Sequence, residues 1–103
     1  MDFLQITTTT ADRDEAERIA AALVERRLAA CVQIVGPIRS IYRWQGEVER
    51  ADEWLCLIKA TREAFPAVET AIHELHSYEC PEVIATPIVD GSTDYLRWLG
   101  DQI

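Results

Sequence analysis

Residues 40–60 read SIYRWQGEVERADEWLCLIKA. β-Branched and aromatic residues flank Gln45-Gly46, and a glycine there supplies the positive φ that a tight turn between two extended segments requires. Residues 53–60 form the returning strand. Upstream, LAACVQIV at 28–35 is also strand-like and is interrupted by Gly36-Pro37. The centre of the chain is thus a long hairpin, and what lies on either side of it decides the fold.

On the N-terminal side, residues 3–9 carry a threonine-rich, β-branched run that predicts a first strand. Residues 11–27, ADRDEAERIAAALVERR, follow. Ala16, Ile19, Ala20, Leu23 and Val24 step by 3, 1, 3 and 1, which is one face of an amphipathic helix. Asp12, with Glu15 three residues later, gives a capping-box-like start, and Arg26 and Arg27 suit the negative C-terminal end. On the C-terminal side, Phe65, Val68, Ile72 and Leu75 mark a second helix over 62–76, with Thr61 as its cap. Residues 83–89, VIATPIV, predict a last strand. Thr93 caps a short final helix, DYLRWLGDQI.

The order is βαββαβ with a C-terminal helix: an α+β, ferredoxin-like domain spanning residues 1–103, with an antiparallel four-stranded sheet and two helices on one face. The other face should then be polar. It is not. Leu55 and Leu57 alternate with Trp54, Cys56 and Ile58, and Ile84 and Ile88 alternate with Val83, Ala85 and Val89. Leaving a Leu or Ile exposed forfeits roughly 1.5–3 kcal/mol. The hairpin poses the same problem. Its first arm, residues 28–35 and 38–45, would extend about 50 Å at about 3.3 Å per residue, whereas a compact domain of this length has a radius of gyration near 13 Å. The arm must bend at Gly36-Pro37 or project, and projection exposes Ile41, Tyr42 and Trp44. Another copy of the chain, helped by Tyr95, Trp98 and Leu99 of the last helix, is the simplest cover.

The chain has 103 residues, 49 % apolar and 27 % charged, with a formal net charge of −8. Such acidity disfavours nucleic acid, and the absence of a basic amphipathic stretch disfavours a membrane surface. No run approaches the roughly 20 apolar residues of a membrane span. The N-terminus lacks the basic and long apolar regions of a signal peptide. Three cysteines without a C-x-x-C favour a reducing cytoplasm over a disulfide framework.

HSYECPE, residues 76–82, is the densest collection of potential ligands. His76, at a helix end, fits both ligand contact and interaction with the helix dipole. Cys80 follows at helical metal spacing, but Pro81 argues against a helix there and makes Cys80 a small buried residue. His73 reads as a surface residue. Lys59, near a buried strand, needs a partner, and Glu53 or Glu79 can supply it. No nucleophile motif, zinc-protease motif or glycine-rich phosphate loop occurs.

LAACVQI, SIYRWQGEVE, the strand ending in Lys59-Ala60-Thr61, HSYECPE and DYLRWL, in that order, closely resemble the CutA family, the divalent cation tolerance proteins. The resemblance covers essentially the whole chain. It implies a cytoplasmic, non-enzymatic homotrimer arranged like the PII signalling proteins, with no required cofactor. It further implies a divalent cation of the copper type (Cu2+), or a small anion, at clefts between subunits. Carried onto this chain, the cleft residues are Cys31, Tyr42, Trp44, Glu53, Lys59, Thr61, Tyr78 and Trp98, and beside them His76 is the expected metal ligand, with the nearby carboxylate of Glu79. The alternative it implies is a signalling or scaffold trimer acting through a protein partner. Ser77 stands where the family usually has proline, and Gln33 where it has asparagine. Threonines around Thr8 replace a cysteine that some members use for copper, which removes a soft sulfur ligand there.

Overall fold

The computed structural model describes residues 2–103. The elements are β1 (Phe3–Thr10), α1 (Arg13–Glu25), β2 (Cys31–Trp44), β3 (Glu47–Thr61), α2 (Phe65–Leu75), β4 (Ile84–Pro87) and α3 (Thr93–Asp101). The four strands form one antiparallel sheet in the order β2-β3-β1-β4. This is the expected α+β, ferredoxin-like arrangement. Among the described residues no helix is long and apolar enough to cross a membrane.

Strand alternation assigns the two sheet faces. Leu4 and Ile6 of β1 and Cys56, Ile58 and Ala60 of β3 are buried, and they pack with Ala16, Ile19 and Leu23 of α1 and Val68 and Ile72 of α2. The opposite parity of β3, Leu55, Leu57 and Lys59, is only half-buried, and Val35 and Ile84 on the same face are exposed. The helices therefore leave one partly apolar face open, as the sequence pattern predicts. Helix α3 lies at one end of it, with Leu99 fully buried.

The hairpin projects. The molecule measures 44 × 25 × 22 Å, and β2 and β3 run paired to Trp44↔Glu47. At the tip Gln45 and Gly46 take φ of 50° and 83°, a turn whose backbone twist matches that of the strands. Ile41, Tyr42, Trp44 and Val48 are exposed along the arm. The ladder slips between Val35 and Ile38, around a cis Gly36-Pro37 peptide. Only glycine fits at 36, because a Cβ there would lie 2.5 Å from Cδ1 of Trp54.

Several boundaries differ from the sequence expectation. Helix α1 stops at Glu25, short of the two arginines, and Arg27 turns to φ 59°. Asp12 caps α1 by accepting the Glu15 N–H, but Glu15 does not reach back, because its carboxylate is used elsewhere. Thr61 accepts the Ala64 N–H in the turn ahead of α2 and does not cap the helix proper. The last strand is Ile84–Pro87, shorter than 83–89, although the Ile88 N–H still donates to the Phe3 carbonyl at 2.9 Å. The cap of α3 is Ser92 and not Thr93.

Candidate functional site

A cleft of about 730 Å³ opens between the hairpin arm and the loop that follows α2. Ser40, Ile41, Tyr42, Trp44 and Glu53 line it from the hairpin, Thr9 from β1, and residues 77–82 from the loop. Glu53 is only 6 % exposed, and the Tyr78 hydroxyl donates to its Oε2 at 2.8 Å. Burial, followed by this bond to a carboxylate, holds the Tyr78 phenol well above its ordinary range. Glu79 and Glu82 are exposed on the rim, and the Thr7 hydroxyl reaches Glu82 at 3.4 Å.

The loop is held from behind. His76 places Nε2 at 2.7 Å from the Thr9 carbonyl, and its Nδ1 accepts the Tyr78 N–H at 3.1 Å. A carbonyl only accepts, so the proton sits on Nε2, and both ring nitrogens are occupied. The ring also packs against Tyr78, centroids 4.8 Å apart. Glu15 Oε2 accepts the Ser77 N–H at 2.7 Å. Ser77, with a free N–H where proline has none, makes this bond possible.

The residues expected in one cleft fall into separate groups. Tyr42, Trp44, Glu53, Tyr78 and Glu79 share the cleft. His76 stands behind its wall with no free lone pair. Among the described residues no three His, Cys, Asp or Glu side chains converge on a metal position within the chain. Cys31 and Lys59 face each other across β2 and β3. Lys59 shares the open-face parity of Glu53, six residues and therefore about 20 Å further along β3. Its ammonium pairs with the Gln33 side-chain carbonyl, not with Glu53 or Glu79. The Tyr95 hydroxyl lies 3.4 Å from Cys31 Sγ, and its ring packs 5.6 Å from that of Trp98. The bond to Cys31, with burial second, pushes the Tyr95 phenol up to about 12. Thr61 belongs to neither group.

The sequence pattern gives Glu15 only a capping role and Tyr95 only a covering one, and neither is expected at the site. Glu15 lies four residues before Ile19 on the buried stripe of α1, and Tyr95 three before Trp98; both signals are present in the helical spacing. Cys80 is a correction. It is exposed on the cleft, not buried, because Pro81 takes the inward position.

The buried thiol is Cys56, pushed from 9.0 to about 11 by burial and then by the nearby Glu15 charge. Alkylation with iodoacetamide at pH 8 is expected to label Cys80 rapidly and leave Cys56 unmodified until the chain unfolds. Peptide mass mapping checks this, and early labelling of Cys56 would refute its placement. The sign for stability follows. Between about 9 and about 11 the unfolded thiol loses its proton while the folded one keeps it. This group's contribution is therefore present below pH 9 and is lost as pH rises through that window.

The CutA1 divalent ion tolerance protein family model matches residues 4–102. A Divalent-cation tolerance protein CutA from Thermus thermophilus is 49 % identical over 94 residues, 91 % of each chain. The crystal structure of CutA from Xylella fastidiosa superposes with a TM-score of 0.97 at 39 % identity, covering 100 % of this chain and 99 % of that one. The structure described as the periplasmic divalent cation tolerance protein CutA from Archaeoglobus fulgidus gives 0.94 at 38 %, covering 97 % of both. The chain spans about half the length of the mouse and human relatives that it matches, 48 % and 47 %.

Proposed function

The chain belongs to the CutA1 divalent ion tolerance family, and from that premise we propose that it acts as a homotrimer taking a divalent cation at clefts between subunits. The observation that carries this reading is the cleft's charge. Its lining holds the carboxylates of Glu53, Glu79 and Glu82, and no lysine, arginine or histidine. This favours a cation over a small anion. The open sheet face and the exposed arm support assembly, which would cover apolar surface and close the cleft on its open side.

Glu79, Glu82 and the exposed Cys80 thiol border the cleft without converging within one chain, so each would serve as a ligand only together with groups from a neighbouring subunit, the thiol supplying the soft sulfur that copper prefers. His76 fits a positioning role, holding the Thr9 and Tyr78 ends of the loop, since coordination would break one of its two hydrogen bonds. Two or three subunits, or water, would complete the coordination sphere. Three free cysteines fit a reducing, cytoplasmic setting.

Isothermal titration of the assembled protein with Cu(II) tests the reading. Saturable binding is expected, weakened more by Cys80→Ser or Glu79→Gln than by His73→Ala, an exposed histidine outside the cleft. No saturable heat with copper or with zinc sinks the cation reading. The alternative is a PII-like scaffold, favoured by the aromatic arm. Stoichiometric capture of a protein partner that persists in a chelator would support it.

A further inference from the structure

Among the described residues, two deeply buried side-chain oxygens have no protein hydrogen-bond partner: Thr8 Oγ1 and Glu15 Oε1. Thr8 is 0 % exposed and Glu15 3 %. Thr8 continues the core-facing parity of β1 after Leu4 and Ile6. Glu15 opens the buried stripe of α1, ahead of Ile19 and Leu23. The link between the two elements is tight, with the Thr10 hydroxyl donating to the Asp12 carbonyl at 2.7 Å. That places the first turn of α1 over the end of β1. Cys56 is the direct cross-strand neighbour of Thr8, and its thiol is near enough to Glu15 to feel the carboxylate charge. Thr8 and Glu15 thus both turn inward where β1 meets α1, with Cys56 beside Thr8 on the neighbouring strand.

A carboxylate oxygen accepts only, and a hydroxyl has one hydrogen to give. Buried groups of this kind are satisfied in the great majority of folded proteins, and an orphan costs about 1–3 kcal/mol. We propose that Thr8 and Glu15 hold one internal water between β1 and α1. The water donates to Glu15 Oε1 and accepts from the Thr8 hydroxyl. Its second hydrogen faces Cys56 Sγ, a weak acceptor. Three partners are typical of a buried water.

The site bears on the cleft. The other oxygen of Glu15 accepts the Ser77 N–H, where the loop carrying Tyr78 begins. By fixing Oε1, the water fixes the plane of the carboxylate and so the start of that loop. This inference stands on the orphaned oxygens alone and survives if no cation binds the cleft.

The test combines water–protein NOE spectra of the full chain with a crystal structure that shows ordered solvent. A long-lived water is expected within contact of the Thr8 methyl. It should persist in Thr8→Ser, which keeps the hydroxyl. It should be lost in Thr8→Val, with faster exchange of the Ser77 amide. Wild type and Thr8→Ser decide the matter if the valine variant does not fold. Direct bonding of the Thr8 hydroxyl to Glu15 with no density between them, or no long-lived water signal in wild type, overturns the proposal.

Discussion

Replacing Ile41 and Val48 together with glutamate is expected to abolish the proposed trimer and leave an 11.7 kDa monomer in sedimentation. Ile41 is 63 % exposed and Val48 47 % in the single chain. The cross-strand pairs Ile41↔Arg50 and Arg43↔Val48 put all four side chains on one side of the arm. In the lone chain the new carboxylates sit beside two arginines and face water, so the fold tolerates them. Under a neighbouring subunit the same carboxylates lose hydration, at several kcal/mol per buried ion. They also replace apolar side chains whose full burial stabilises by roughly 1.5–3 kcal/mol each. Every interface in a symmetric assembly carries the change. Circular dichroism should show the secondary structure intact. A variant that sediments like wild type would exclude the arm from the interface, and a monomeric wild type would exclude the trimer.

The second large effect concerns the core. Ile58→Ala is expected to destabilise the fold by about 2–5 kcal/mol. Ile58 is fully buried on β3, with Ile6 opposite it on β1 and Val32 on β2. Flanked on both sides in a central strand and covered by the helices, the site has little room to collapse around the lost atoms. Guanidinium denaturation at a fixed protein concentration measures the loss, because the proposed trimer would make apparent stability depend on concentration. Val89→Ala, at a side chain 91 % exposed, serves as the reference and should change stability by no more than about 0.5 kcal/mol. An unchanged midpoint for Ile58→Ala would show that the core is not where the sheet pattern puts it.

The elements were legible because periodicity reports which face of a segment is apolar. The stripe on α1, the alternation on β3 and the Gln45-Gly46 turn each follow from spacing and from one residue able to take positive φ. The open face was legible for the same reason, since Leu55 and Leu57 have no helix to face. The site was less so. Whether His76 is a ligand depends on Thr9, 67 positions away, whose carbonyl claims one ring nitrogen. Lys59 finds a neutral amide, because the register places Gln33 two positions along the neighbouring strand on the same face, and the carboxylates lie elsewhere. Local pattern cannot reveal a partner that tertiary packing supplies. Cys80 shows the limit on a smaller scale. Residues 76–82 are not helical, as Pro81 implies, but in that loop it is proline that turns inward and the thiol that meets solvent.

The placement of proline has a consequence for growth of the sheet. β2 and β4 are its two edges, and an unguarded edge is a template on which further strands can add without end. Pro37 interrupts the donor row of β2, and Arg39 and Arg43 follow it along the arm. β4 is only four residues long, and Pro87 lacks an N–H on its outward edge. Neither edge offers a long unbroken run of N–H donors, so a chain this rich in exposed apolar strand has a built-in barrier against fibrous aggregation.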